Sequence, residues 1–183
     1  LCYSVLNSEQ KRRFTEQRDM DISYTVKNAE HARARVNLFW ERESASLVAR
    51  IVPAAVPTLA DVEMPEITKS LLRLKQGLIL ITGPTGSGKS TSLAAMVNFI
   101  NEERAENIIT LEDPIEFLHH NKRSIIRQRQ LGSDVLSFAE GLKHIVREDP
   151  NVVMVGEMRD LETIAAAITL AETGHLVLAT LHT

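Results

Sequence analysis

The chain has 183 residues, 44% of them hydrophobic and 25% charged, with a formal net charge of -3 and one cysteine. This balance supplies enough apolar matter for a core. It excludes a disordered chain, an intrachain disulfide and a Cys-based zinc site, and it argues against a dedicated nucleic-acid binder with its strongly basic face.

The longest apolar runs, such as 78–81 and 152–155, fall far short of the ~20 residues of a membrane-spanning helix, so no direct membrane insertion is expected. The lone Cys2 fits a reducing compartment, with the cytosol as the default. The chain opens at Leu1 without a methionine and stops at Thr183 just after a strand-like run, so a piece of a longer protein is expected.

Residues 8–18 read as a polar helix, and strand-like runs follow at 22–26, 32–39 and 47–52. Together they predict a partial α+β domain over residues 1–53. Pro53, Pro57 and Pro65 punctuate the next stretch, which predicts a linker at 54–64. A helix over 65–74 is expected next, with Pro65 in its first turn and Ile67, Leu71, Leu72 and Leu74 as an apolar stripe.

From Gly77 onward short apolar runs alternate with amphipathic ones. The pattern predicts strand 78–82, helix 89–103, strand 107–111, helix 137–147, strand 152–155, helix 160–173 and strand 176–181. Strands that are apolar on both faces and alternate with helices make a mostly parallel, helix-covered sheet, so the fold class is α/β over residues 65–183.

Four constellations carry chemistry. Gly83, Pro84, Thr85, Gly86, Ser87, Gly88, Lys89 and Ser90 satisfy the G-x-x-x-x-G-K-[ST] pattern between a strand and a helix, with Thr91 next in the helix. Glycines let successive N–H groups converge on a polyphosphate, and the helix adds its positive end. Lys89 is expected on the β and γ phosphates of ATP and Ser90 on Mg²⁺.

The run 152–160 delivers Glu157 at a strand end, as a group that either holds magnesium through water or polarises the attacking water. The run 108–117 places Glu112 and Glu116 after another strand. Glu116 is the first candidate to align the attacking water, while Glu112 serves equally as a structural acid accepting backbone N–H bonds before Pro114. The run 174–183 brackets a strand with His175 and His182, residues that are more often structural than catalytic.

Taken in chain order, the runs 83–90, 108–117, 152–160 and 174–183 resemble the Walker A, Asp box, Walker B and His box of the secretion and pilus motor ATPases. The runs 171–177, 156–160 and Arg127-Gln128-Arg129 look closer to the type IV pilus retraction branch than to the assembly branch. The run 33–39 is similar to that family's PAS-like N-terminal domain.

The resemblance implies a RecA-like P-loop core and a Mg²⁺-dependent ATPase acting as a homohexameric motor. It also implies catalytic roles for Lys89, Glu116, Glu157, His175 and His182. A trans-acting arginine from the N-terminal domain is implied as well, with Arg35, Arg42 and Arg50 at hand. The task implied is pilus retraction and twitching motility at the cytoplasmic face of the inner membrane, through a platform protein. Pilus assembly or type II secretion, and a slowly hydrolysing regulatory subunit, are the competing readings.

Overall fold

The computed structural model describes residues 2–25, 33–52 and 55–181. Val26, Ala32, Pro53, Ala54, His182 and Thr183, which enter the readings above, lie outside the described residues. The chain divides into two compact units, Leu1–Ala55 and Val56–Thr183.

In the first unit a 3-10 turn (Cys2–Val5) leads to α1 (Ser8–Gln17), β1 (Asp19–Thr25), β2 (Arg33–Glu41) and β3 (Ser44–Val52). The strands pair antiparallel in the order β1-β2-β3. A capping box starts α1: the Asn7 side chain accepts from the Gln10 N–H and the Gln10 side chain accepts from the Asn7 N–H. Two amides that a helix start leaves unpaired are thereby satisfied.

Strand alternation sends Ala34, Val36 and Leu38 of β2 to one face, where they bury with Ile22 and Met20 against Phe14 of α1. Arg42 and Glu43, both at positive φ (48° and 64°), turn β2 into β3. A two-residue hairpin needs that left-handed backbone, and here neither position is glycine or asparagine. Phe14 is fully buried and packs near the rings of Tyr3 and Trp40.

The second unit contains α2 (Ile67–Leu72), β4 (Gly77–Thr82), α3 (Lys89–Glu103), β5 (Asn107–Glu112), β6 (Ile125–Gln130), α4 (Phe138–Ile145), β7 (Val152–Val155), α5 (Leu161–Glu172) and β8 (Leu176–Leu181). Its strands form one sheet in the order β4-β8-β7-β5-β6, and every neighbouring pair is parallel. This is the expected α/β class, a RecA-like P-loop core. One cluster, with α4 and α5, packs on Ile109, Val153 and Val177; the other, with α3, packs on Ile108, Val152 and Leu178.

Two expectations change here. The helix expected over 65–74 is shorter, and only Leu72 of its stripe is buried, whereas Ile67, Leu71 and Leu74 are exposed. The stretch expected as a linker instead packs Leu59, Val62 and Met64 into the α3-side cluster. Among the described residues no helix is long and apolar enough to cross a membrane.

Removing the Phe14 ring leaves a cavity at the centre of the first unit. Phe14→Ala is expected to cost that unit about 3–5 kcal/mol. Urea unfolding followed by Trp40 fluorescence measures it.

Candidate active site

Because all five described strands of the sheet run the same way, the segments after β4, β5 and β7 leave from one edge. Those segments carry 83–90, Glu116 and Glu157. The chemistry-bearing loops therefore share an edge although they are far apart in sequence.

The loop after β4 turns through Gly83 (φ 147°), Gly86 (φ 81°) and Gly88 (φ 90°), backbone states that L side chains rarely adopt. At Gly83 a Cβ would sit 2.8 Å from the Ser87 Oγ, so a side chain there would displace that hydroxyl as well as strain the backbone. Gly88 is the N-cap of α3 and brings no side chain to cap it, and the first turn of α3 contains no acid.

The opening amides of α3 and its positive dipole end thus stand uncompensated by side chains, which is the condition an anion satisfies. Lys89 Nζ donates to the carbonyls of Gly83 and Pro84, each at 2.9 Å. The loop's own carbonyls therefore hold the ammonium at its mouth. Pro84, Thr85, Gly86, Ser87 and Ser90 are exposed, and Thr91 is half-buried in the first turn of α3.

This cradle fits a triphosphate. Among the described residues no group of three or more His, Cys, Asp or Glu side chains could cage a metal. A Mg²⁺ here would take the Ser90 hydroxyl together with phosphate and water oxygens, the usual mixture for this ion.

Glu157 is held by its backbone. The Gly156 N–H donates to the Leu111 carbonyl (2.8 Å) and the Met158 N–H to the Thr180 carbonyl (3.0 Å). The Thr180 hydroxyl donates to the Gly156 carbonyl at 2.6 Å. The segment is tied to β5 on one side and β8 on the other. The approach at Gly156 is close: a Cβ there would come within 3.2 Å of the Leu111 carbonyl oxygen and 3.4 Å of the Glu112 Cα, crowding β5 by a few tenths of an ångström. The Glu157 side chain is 13% exposed, and Arg159 Nη2 lies 2.6 Å from its Oε1.

After β5 the two acids separate in character. Glu112 is buried, and its Oε1 accepts from the Thr110 hydroxyl (2.6 Å) and the Gln128 amide (2.9 Å). Burial pushes its carboxyl up, while the bonds from Thr110, Gln128 and the Glu116 N–H pull it back. Its structural reading is the one its contacts support. Glu116 is half-buried in the loop beyond.

Burial, with help from neighbouring Lys122 and His120, lowers the pKa of His119 to about 4. Its imidazole stays neutral near neutrality.

The structure does not bring His175 to this edge. Its carbonyl accepts from the Gly77 N–H at the start of β4, and its Nδ1 lies 3.0 Å from the Leu170 carbonyl at the end of α5. It therefore sits at the amino ends of the strands, roughly 20 Å of strand from the loop at 83, and fastens a helix terminus. The counterpart His182 lies outside the described residues.

In the first unit Arg35 of β2 stands directly opposite Arg50 of β3, both exposed, and Arg42 lies in the hairpin turn. Sequence reasoning missed β6 and with it Gln128 and Gln130. An alternation of Ile126, Gln128 and Gln130 with Ile125, Arg127 and Arg129 was the available signal.

Two outcomes follow. Gly156→Ala crowds the backbone of β5 at Leu111 and Glu112, with an expected loss of about 1–3 kcal/mol, read by thermal unfolding. His119 has an ordinary pKa of 6.5 when unfolded and about 4 when folded, so the unfolded chain binds its proton first. Its contribution to stability is complete above pH 6.5 and drains away as the pH falls toward 4. Urea midpoints measured across that window should fall less steeply in His119→Gln than in the wild type.

The chain is similar to known proteins over its whole length. The type IV pilus retraction ATPase PilT of Pseudomonas aeruginosa is 47% identical over all 183 residues, and the chain spans 53% of its length. The type II secretion system protein E of Aeromonas hydrophila is 52% identical, but over 118 residues only, 64% of this chain and 23% of its own. The crystal structure of the pilus retraction motor PilT with bound ADP matches at a TM-score of 0.96 and 46% identity, over 100% of this chain and 53% of that one. The resemblance to pilus retraction ATPases thus extends over the whole chain. The model of the Type II/IV secretion system protein family matches residues 10–183, and the chain belongs to that family.

Proposed function

We propose that this chain is the N-terminal and P-loop part of an ATP-hydrolysing, Mg²⁺-dependent motor that powers type IV pilus retraction. One observation carries the reading: the uncapped, acid-free start of α3 stands with its glycine loop on the same sheet edge as the segments bearing Glu116 and Glu157.

In this reading the 83–88 amides and Lys89 bind the β and γ phosphates, with Ser90 as the protein ligand of Mg²⁺. The metal, when bound, supplies charge neutralisation on the phosphate oxygens. Glu157 and Glu116 orient a water in line with the γ-phosphorus, and one of the two carboxylates takes its proton. The bond from the γ-phosphorus to the β,γ-bridging oxygen breaks, and ADP and inorganic phosphate leave. His175 is left out of the catalytic set, because its contacts are those of a helix-end fastener.

The exposed Arg35–Arg50 pair favours assembly with further copies of the chain, a homohexamer in this reading. Two like charges facing each other across a strand pair cost stability in an isolated unit, and an anionic partner relieves that cost. Arg35 and Arg50 are accordingly the proposed trans cations, ahead of Arg42. The cytoplasmic setting and a membrane platform partner belong to the same proposal.

Relatives named for retraction match this chain from end to end, whereas the type II secretion protein matches only 118 residues. That difference favours retraction over secretion as the task.

Turnover of ATP by the full-length protein tests the site. Lys89→Ala and Glu157→Gln should each lower kcat by at least about a hundredfold, because each removes charge or alignment present only as the transition state forms. Wild-type turnover in both proteins would remove this loop and this acid from the reaction.

A further inference from the structure

The 113–119 loop is the least expected part of the site. It carries Glu116, yet it lies beyond the end of β5 and has no strand ladder of its own. Its backbone groups go to side chains instead. In the parallel register Thr110 stands beside Gln128 and Glu112 beside Gln130. Alternation puts residues 110 and 112 on one face of β5, and 128 and 130 on one face of β6. The result is a polar patch across β5 and β6, beside the apolar β7.

From this patch Gln128 reaches the loop with both ends of its carboxamide. Nε2 donates to the Phe117 carbonyl (2.8 Å) and to Glu112 Oε1 (2.9 Å), and Oε1 accepts the His119 N–H (2.8 Å). Gln130 Oε1 accepts the Ile115 N–H at 3.3 Å. Glu112 is oriented by Thr110 and Gln128, and the nearby Glu116 N–H helps to hold its carboxyl down against burial. Backbone groups at 115, 117 and 119 are thus each fixed by a side chain from β6.

We propose that Gln128 is the positioning residue for Glu116: its two-ended clamp on the loop, completed by the buried Glu112, sets where the Glu116 carboxylate stands for the attacking water. The inference rests on the reading that Glu116 aligns that water.

A carboxamide suits the task better than any other side chain of its length. The clamp needs a donor toward a carboxylate and a carbonyl, and an acceptor toward an N–H, in one rigid plane. Glutamate has no donor when ionised, and methionine has neither group. Misplacing a reacting group by about 1 Å costs rate on the order of a hundredfold without weakening nucleotide binding, which is done by the loop of β4. Gln128 touches neither nucleotide nor water in this scheme and acts through Glu116 alone.

Kinetics of the full-length protein test this, with ADP as the binding probe. Gln128→Met should lower kcat roughly ten- to a hundredfold. The KM for ATP and the affinity for ADP should stay within about twofold. Gln128→Glu keeps size and shape but loses the donor. Its kcat should be low at pH 8 and recover severalfold toward pH 6, where the proton shared between two facing carboxylates restores a donor. The wild type should lack that recovery.

Glu116→Gln serves as the reference. If it is inactive while Gln128→Met turns over at the wild-type rate, the positioning role is wrong and the reading of Glu116 stands. If Glu116→Gln is itself fully active, both fall. A parallel loss of kcat and ADP affinity in Gln128→Met marks Gln128 as mere scaffolding and overturns the proposal. Should Gln128→Met fail to fold, the pH profile of Gln128→Glu decides, and a flat, low profile overturns it.

Discussion

The site depends on a single constraint, the parallel running of β4, β8, β7, β5 and β6. A parallel sheet gathers all its strand ends at one edge, and its crossover helices must lie on its faces. The glycine loop, the Glu157 segment and the Glu116 loop are neighbours for that reason alone, although more than seventy residues separate the first from Glu157. Helix α3 then finishes the cradle by starting at the same edge, with no side chain covering its amides.

Each part of the edge is made firm in a different way. The phosphate loop is a backbone device, shaped by glycines and by the Lys89 bridge to two carbonyls. The Glu157 segment is an extension of the ladder, stitched to both neighbouring strands and pressed so close to β5 that a Cβ at 156 would crowd the Leu111 carbonyl. The Glu116 loop is outside any ladder and relies on buried polar side chains. Such a network holds one conformation because every member has a partner, and an unpaired buried acid would be costly. Glu112 is tolerable at 7% exposure because Thr110 and Gln128 both donate to it.

Much of this was legible in the chain. The phosphate loop was readable because strand, glycines, lysine and helix occur in one unbroken run. The strands 152–155 and 176–181 and the helix 89–103 were readable because their apolar runs are short and sharply bounded, and their observed limits coincide with the expected ones.

What was not legible has physical causes. Strand β6 was missed because an edge strand with Arg127, Gln128, Arg129 and Gln130 has too little apolar character to stand out. The place of His175 was not legible because the sequence does not say which end of a strand faces the chemistry; its neighbours Leu170 and Gly77 do. The stripe Ile67, Leu71, Leu74 predicted burial from periodicity, but a six-residue helix turns only one of these faces, through Leu72, to the core.

The insertion of β8 between β4 and β7 has a mechanical meaning. It is a spacer of fixed width: six paired positions bind it to β4 and four bind it to β7, from Gly77–Leu176 at one end to Val155–Ala179 near the other. The phosphate loop and Glu157 therefore stand about 10 Å apart as measured across two strand spacings. That gap is as stiff as the sheet. A nucleotide bound in this cradle would therefore meet the Glu157 segment at a separation set by the sheet and not by the loops.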